Sequence, residues 1–247
     1  AATTTFRSAV SGDATRLVAD VDQIADDVAA GDLPDARAAE LAAQADFDEV
    51  RFVDAASPQN VASMDALSGQ VPPGATFGGL HALERDLWSG GDAAADLPSL
   101  RGQAAVTAGI VSRQSLSPAV IVTTAVSQLD RVVDDALPGR EELYSHRDDV
   151  DVAAGVTAAD QAFAAVQPLV CSVDAGGCRV AAADLGSLSD SVSALGPPET
   201  VPDAELTVDV QRALSEEAET AAHALAVLEA PLLPFGTAGP EPYGAVG

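Results

Sequence analysis

Apolar positions along this chain recur every three or four residues rather than every second one, the spacing of helical faces. Leu17, Val21, Ile24 and Val28 share one face of a helix expected over residues 13–30, with Gly31 as its stop. Pro34 opens a second helix reaching about residue 56, with Leu41, Ala45, Val50 and Val53 among its apolar positions; Ser57-Pro58 ends it. Residues 59–76 read as irregular, broken by Pro72-Pro73-Gly74. Leu80, Leu83 and Leu87 line a short helix closed by Gly90-Gly91, and a further helix runs from Pro98 to Arg113. Ser117-Pro118 supplies a cap and a first-turn proline for a helix reaching Leu137, where Pro138-Gly139 stops it. A loop over 140–148 leads to helices expected at 149–170 and 180–195, with a cysteine-bearing loop between them. Gly196-Pro197-Pro198 breaks the chain. A last helix over 203–229 turns Leu206, Val210, Leu214, Ala221, Leu225 and Leu228 inward, and the Pro/Gly-rich tail from Pro231 lies on the surface. The pattern predicts an all-α protein of two side-by-side helical bundles, a bilobal arrangement divided into 1–138 and 139–247.

Composition sharpens this picture. Hydrophobic residues make up 47% of the 247 positions but aromatics only 4%, so the core is built from Ala, Val and Leu and suits closely packed helices. The formal net charge is −26, and all 12 basic residues are arginine. Such a surface repels nucleic acid and anionic membrane and favours cations. A diffuse acidic coat without lysine is also what salt adaptation or a high-GC genome produces, so the charge alone does not define a site. No apolar run is long enough to span a membrane. The start at Ala1-Ala2-Thr3 leads us to expect a processed chain, with a signal peptide or lipid anchor removed and an extracytoplasmic location, periplasmic or at the cell surface. Cys171 and Cys178 are spaced to close a disulfide, which implies an oxidising compartment; free thiols are the alternative.

Candidate chemistry concentrates in Gly78-Gly79-Leu80-His81-Ala82-Leu83-Glu84. His81 and Glu84 stand one helical step apart on the same face, and imidazole with carboxylate makes half of a metal site for iron or zinc. The competing reading is a core histidine at a helix start, with Glu84 bound to an arginine of another helix. His223, among alanines, reads as a satisfied core histidine, and Trp88 as an anchor between helices. There is no Gly-x-Ser-x-Gly elbow, no His-Glu-x-x-His helix and no phosphate loop.

Gly79-Leu80-His81-Ala82-Leu83-Glu84 followed by Arg85-Asp86-Leu87-Trp88 resembles the Gly-x-His-x-x-Glu segment of imelysin-like proteins, nearest the EfeO type. Glu141-Glu142-Leu143-Tyr144-Ser145-His146-Arg147-Asp148 is similar to the family's Glu-Glu-x-Tyr-Ser-His-Thr-Asp, and Ala30-Gly31-Asp32 to its Ala-Gly-Asp turn. The resemblance covers about residues 13–229. It implies a two-bundle all-α fold and an extracytoplasmic iron-capture protein that serves a membrane iron permease or other surface proteins. It also implies metal ligation by His81 and Glu84, with Asp48 as third ligand and Asp65 as a weaker candidate. Glu142, Tyr144, His146 and Asp148 would line the cleft from the second lobe; their competing reading is a capping loop, as a solvated carboxylate is for Asp48. Iron is the expected cation, with zinc or another divalent ion as alternatives.

Three departures from the family pattern bear on the site. Phe47-Asp48-Glu49-Val50-Arg51 stands where Tyr-Glu-x-Ile-Glu is usual, so Arg51 replaces a carboxylate. Gly155 replaces an asparagine, and Arg147 a threonine. These keep two other expectations open: a surface module for a protein or glycan ligand on the same scaffold, and a metal-dependent hydrolase of peptidase type with Glu84 as base. An enzyme is the less favoured of the readings.

Overall fold

A computed structural model describes residues 2–51, 58–114, 116–196 and 206–235. The described residues are predominantly helical, with no strand among them, so the protein is all-α. No helix among them is long and apolar enough to cross a membrane. Val53, Ser57, Pro197-Pro198, residues 203–205 and the tail beyond Phe235 lie outside the described residues.

α1 spans Ala2–Ala30, well upstream of its expected start. Phe6 and Val10 extend the stripe of Ala14, Leu17, Val21 and Ile24 by two further turns, and all are buried. α2, Leu33–Val50, is capped by Asp32, whose side chain accepts from the Asp35 amide. The segment expected to be irregular begins with a short helix, α3, Pro58–Met64. Val61 and Met64 bury it, and the Asn60 amide donates to the Thr107 hydroxyl at 2.7 Å.

α4, Leu80–Ser89, follows an irregular stretch and starts at Gly79, whose φ of 91° is left-handed. A Cβ at Gly79 would lie 2.3 Å from the Met64 carbonyl oxygen, so only glycine lets α4 begin against the end of α3. Arg37 of α2 donates to the Leu87 carbonyl through Nε and Nη2 and stacks over Trp88, fastening the other end of α4 to α2. Trp88 thus links the two helices, as expected.

α5 covers Leu97–Arg113 and α6 Pro118–Arg131, the latter capped by the Ser117 hydroxyl. The expected continuation of α6 to Leu137 is a π-helical turn, Val132–Ala136. Gly155 explains how it is accommodated. A Cβ there would sit 2.5 Å from Val132 Cγ2, so glycine lets α7, Asp148–Val173, pass close to the widened turn. An asparagine side chain at 155 would collide with it.

α8, Ala175–Ser193, begins one residue after α7 ends. The expected cysteine loop is therefore replaced by helix on both sides of Asp174, whose carboxylate caps α8 at the Gly176 and Gly177 amides. Cys171 in α7 and Cys178 in α8 are disulfide-bonded. α9 spans Val208–Val227 and a short α10 Glu229–Leu232. His223 of α9 is exposed, which corrects the reading of a core histidine.

α1 packs on α2, α5 and α7; α7 also packs on α2, α6 and α8; α9 packs on α6 and α8. α6 precedes residue 138 yet lies chiefly against α7 and α9. The buried apolar residues form one continuous cluster through all of these helices.

Candidate metal centre

The core side of α2 carries a polar row. Glu40, Gln44 and Asp48, spaced i, i+4 and i+8, are all fully buried. Into the same region α4 turns His81 and Glu84, Asp65 follows the end of α3, and α6 contributes Gln128 and Arg131. The 140–147 loop adds Glu141 and Glu142, and α7 adds Asp148 and Asp151. A titratable group in such surroundings must find a partner or stay neutral.

His81 is the hub. Its Nε2 faces Asp65 Oδ1 at 3.4 Å, while its Nδ1 lies 3.7 Å from both Glu84 Oε2 and Glu142 Oε1. The second oxygen of each glutamate is held in place. Glu84 Oε1 accepts from the backbone amides of Tyr144 (2.8 Å) and Ser145 (2.7 Å), and Glu142 Oε2 accepts from the Ser145 hydroxyl (2.7 Å). What remains is Nδ1, Glu84 Oε2 and Glu142 Oε1: three buried atoms with no hydrogen-bond partner among the described residues, gathered within 4.8 Å of one another. Tetrahedral coordination with bonds of about 2.0–2.1 Å spaces its ligand atoms by roughly 3.3 Å. A separation of 3.7 Å is a few tenths of an ångström wider, within reach of small side-chain adjustments. Asp65, 3.4 Å from Nε2, stands where an outer carboxylate would orient a metal-binding histidine.

Electrostatics follow from this crowding. Burial works to lower the His81 pKa, but Asp65, Glu84 and Glu142 outweigh it and raise it well above the ordinary value. Burial would raise Glu84, yet His81 and the two backbone amides hold it below its usual range. Glu142 is pushed up to about 8 by burial and by the neighbouring Glu84 charge. Asp65 opposes its own burial through Arg51 and His81 and lies at about 2. The carboxylates facing the ring thus favour its protonated form, and a metal ion would compete with that proton for Nδ1.

A second part of the same polar region is occupied by arginines. Arg131 pairs with Asp48 and, at 2.9 Å, with Glu141; Arg51 pairs with Asp65 and stands 3.7 Å from both Asp48 and Glu141. The Gln128 amide donates to the Asp48 carbonyl at 2.7 Å.

The expected site residues separate accordingly. His81 and Glu84 come together with Glu142, a residue expected only to line the cleft. Asp48, expected as the third ligand, is engaged by Arg131 instead, and Asp65 supports His81 from behind. Asp148 accepts from the backbone amides of Glu141 and Glu142 and so shapes the loop that delivers Glu142. Tyr144 contributes its amide to Glu84. His146 is exposed, in a left-handed conformation (φ 56°), and does not join the group. Glu40 and Asp151 escaped the sequence reading. Both are fully buried with no partner on either oxygen among the described residues, and burial followed by neighbouring carboxylates raises both well above the ordinary range. The row Glu40–Gln44–Asp48, all polar at helical spacing, is the signal that could have pointed to the first of them, but in so acidic a chain it reads equally as a solvated face.

A separate acidic group, Asp13, Asp46 and Glu49, lies between α1 and α2. Arg16 fills it, bonding Asp13 and Asp46 at 2.8 and 2.7 Å and Glu49 at 3.5 Å. Comparison with models of known families and with curated proteins finds no match to this chain.

Proposed function

We propose that this protein is an extracytoplasmic metal-binding protein that captures iron at His81, Glu84 and Glu142. The carrying observation is the convergence of three buried, otherwise unpartnered ligand atoms, each on a side chain whose other polar atom faces a neighbouring group. One imidazole and two carboxylates suit iron, and also zinc or another divalent transition metal. The resemblance to the EfeO type favours iron as cargo and a membrane iron permease as the recipient. The Cys171–Cys178 disulfide supports a location outside the cytoplasm.

The test is calorimetric titration of the protein and of the H81A/E84A double variant with iron and with zinc. Wild type binds one ion and the double variant loses measurable binding. Equal affinity in the two proteins would reject the assignment.

A further inference from the structure

We infer that Ser145 is a positioning residue that sets which cations this site accepts, by holding Glu142 to a single coordinating oxygen. The inference rests on the His81–Glu84–Glu142 group being a cation site, and it assigns the size and coordination class of the ion. Ser145 touches both glutamates. Its backbone amide donates to Glu84 Oε1 at 2.7 Å, and its hydroxyl donates to Glu142 Oε2 at 2.7 Å. The Tyr144 amide donates to the same Glu84 oxygen at 2.8 Å. A carboxylate oxygen carries two lone-pair sites. Both are taken on Glu84 Oε1, so Glu84 offers a cation Oε2 alone. On Glu142 Oε2 one hydroxyl takes one site. That single bond therefore decides whether Glu142 coordinates through one oxygen or two.

The donors available then give the class of ion. With each glutamate limited to one oxygen, the group offers His81 Nδ1, Glu84 Oε2 and Glu142 Oε1, the two oxygens each 3.7 Å from the nitrogen. One nitrogen and two oxygens, completed by a water, suit a small borderline cation such as Zn²⁺ or Fe²⁺. Ca²⁺ instead takes oxygen ligands in larger number and fills its shell with bidentate carboxylates. Here it would have to gather roughly three to five waters to reach its usual coordination. The three side chains are 2%, 0% and 1% exposed, which disfavours that much water. The loop that carries Ser145 has other anchors. Asp148 accepts from the Glu141 and Glu142 amides, and the His146 amide donates to the Glu142 carbonyl at 2.9 Å. Removing the Ser145 hydroxyl thus frees Glu142 Oε2 while these anchors stay.

The experiment titrates metal-free wild type, S145A, S145T and H81A/E84A with Zn²⁺, Mn²⁺ and Ca²⁺ by calorimetry. Wild type is expected to bind Zn²⁺, to bind Mn²⁺ more weakly and to show no measurable Ca²⁺ binding. S145A is expected to lose about 10-fold in Zn²⁺ affinity while Mn²⁺ affinity holds or rises, so that the ratio of the two falls by about 10-fold or more. S145T keeps the hydroxyl and restores the wild-type ratio. An unchanged ratio in S145A, whether both affinities stay or fall together, overturns the role of Ser145. If H81A/E84A has lost Zn²⁺ binding in the same series, the metal site itself still stands. An S145T that follows S145A also overturns the inference, because the hydroxyl is then not the cause. So does wild type that binds Ca²⁺ as tightly as Zn²⁺. Absence of binding in wild type, or wild-type affinity in H81A/E84A, rejects the metal site and the role of Ser145 with it.

Discussion

Asp46 and Glu49 show how a single residue's surroundings become a property of the whole protein. Burial, the largest influence on each, raises both to about 7, with Arg16 pulling the other way and Asp13, Asp20 and Gln161 completing their surroundings. A carboxyl whose folded pKa exceeds its unfolded one holds its proton more tightly in the native state. The stability this gives is complete below the unfolded values of 3.8 and 4.5, and is lost as the pH rises to about 7. D46N should flatten that decline by about 1 kcal/mol, the half-exposed Arg16 beside Asp46 offsetting the rest; urea unfolding across this pH range checks it. Legibility in the sequence varies at the same scale. His81 and Glu84 were readable because a three-residue spacing fixes a shared helical face whatever the rest of the chain does. Asp48 was not, because its role depends on Arg131, which arrives from α6. Glu40 was not, because nothing local distinguishes a buried glutamate from the many solvated acids of this chain.

At the scale of elements, boundaries set by local chemistry were readable and those set by packing were not. Pro34 and Ser117-Pro118 mark real helix starts, since a cap and a first-turn proline act within a few residues. α3 went unread because seven residues carry only two buried apolar positions, too few to display a period. The loop expected between the cysteines is helix because Asp174 alone caps α8 and ends α7. Gly79 is the joint on which the candidate site turns. Substitution by alanine meets both a left-handed φ of 91° and a contact of 2.3 Å with the Met64 carbonyl oxygen. G79A should destabilise the protein by about 2–3 kcal/mol and, by displacing α4, weaken cation binding. Denaturant unfolding and metal titration of one preparation measure both effects.

Across the whole molecule, the disulfide and the continuous core act on the arrangement of helices. The cysteines are seven residues apart in sequence, so their bond closes a short loop and is worth about 2 kcal/mol through restriction of the unfolded chain. C171S/C178S should lower the denaturation midpoint accordingly, and added reductant should bring wild type to the same value. The all-α class was readable from period and composition, because a helical face repeats every few residues and each repeat is visible without knowledge of its neighbours. The expected partition at residue 138 follows a proline-glycine stop, whereas α6 packs across it onto α7 and α9 within one apolar cluster. Most of the helices, the Ser117 cap, the glycine stops at 31 and 90 and the His81–Glu84 pair were thus written in short-range pattern. Which carboxylates receive an arginine, which receive backbone amides and which are left facing His81 was settled by helices meeting across long sequence distances. A buried charge takes its energy from those partners and from lost water, and neither exists until the chain has folded.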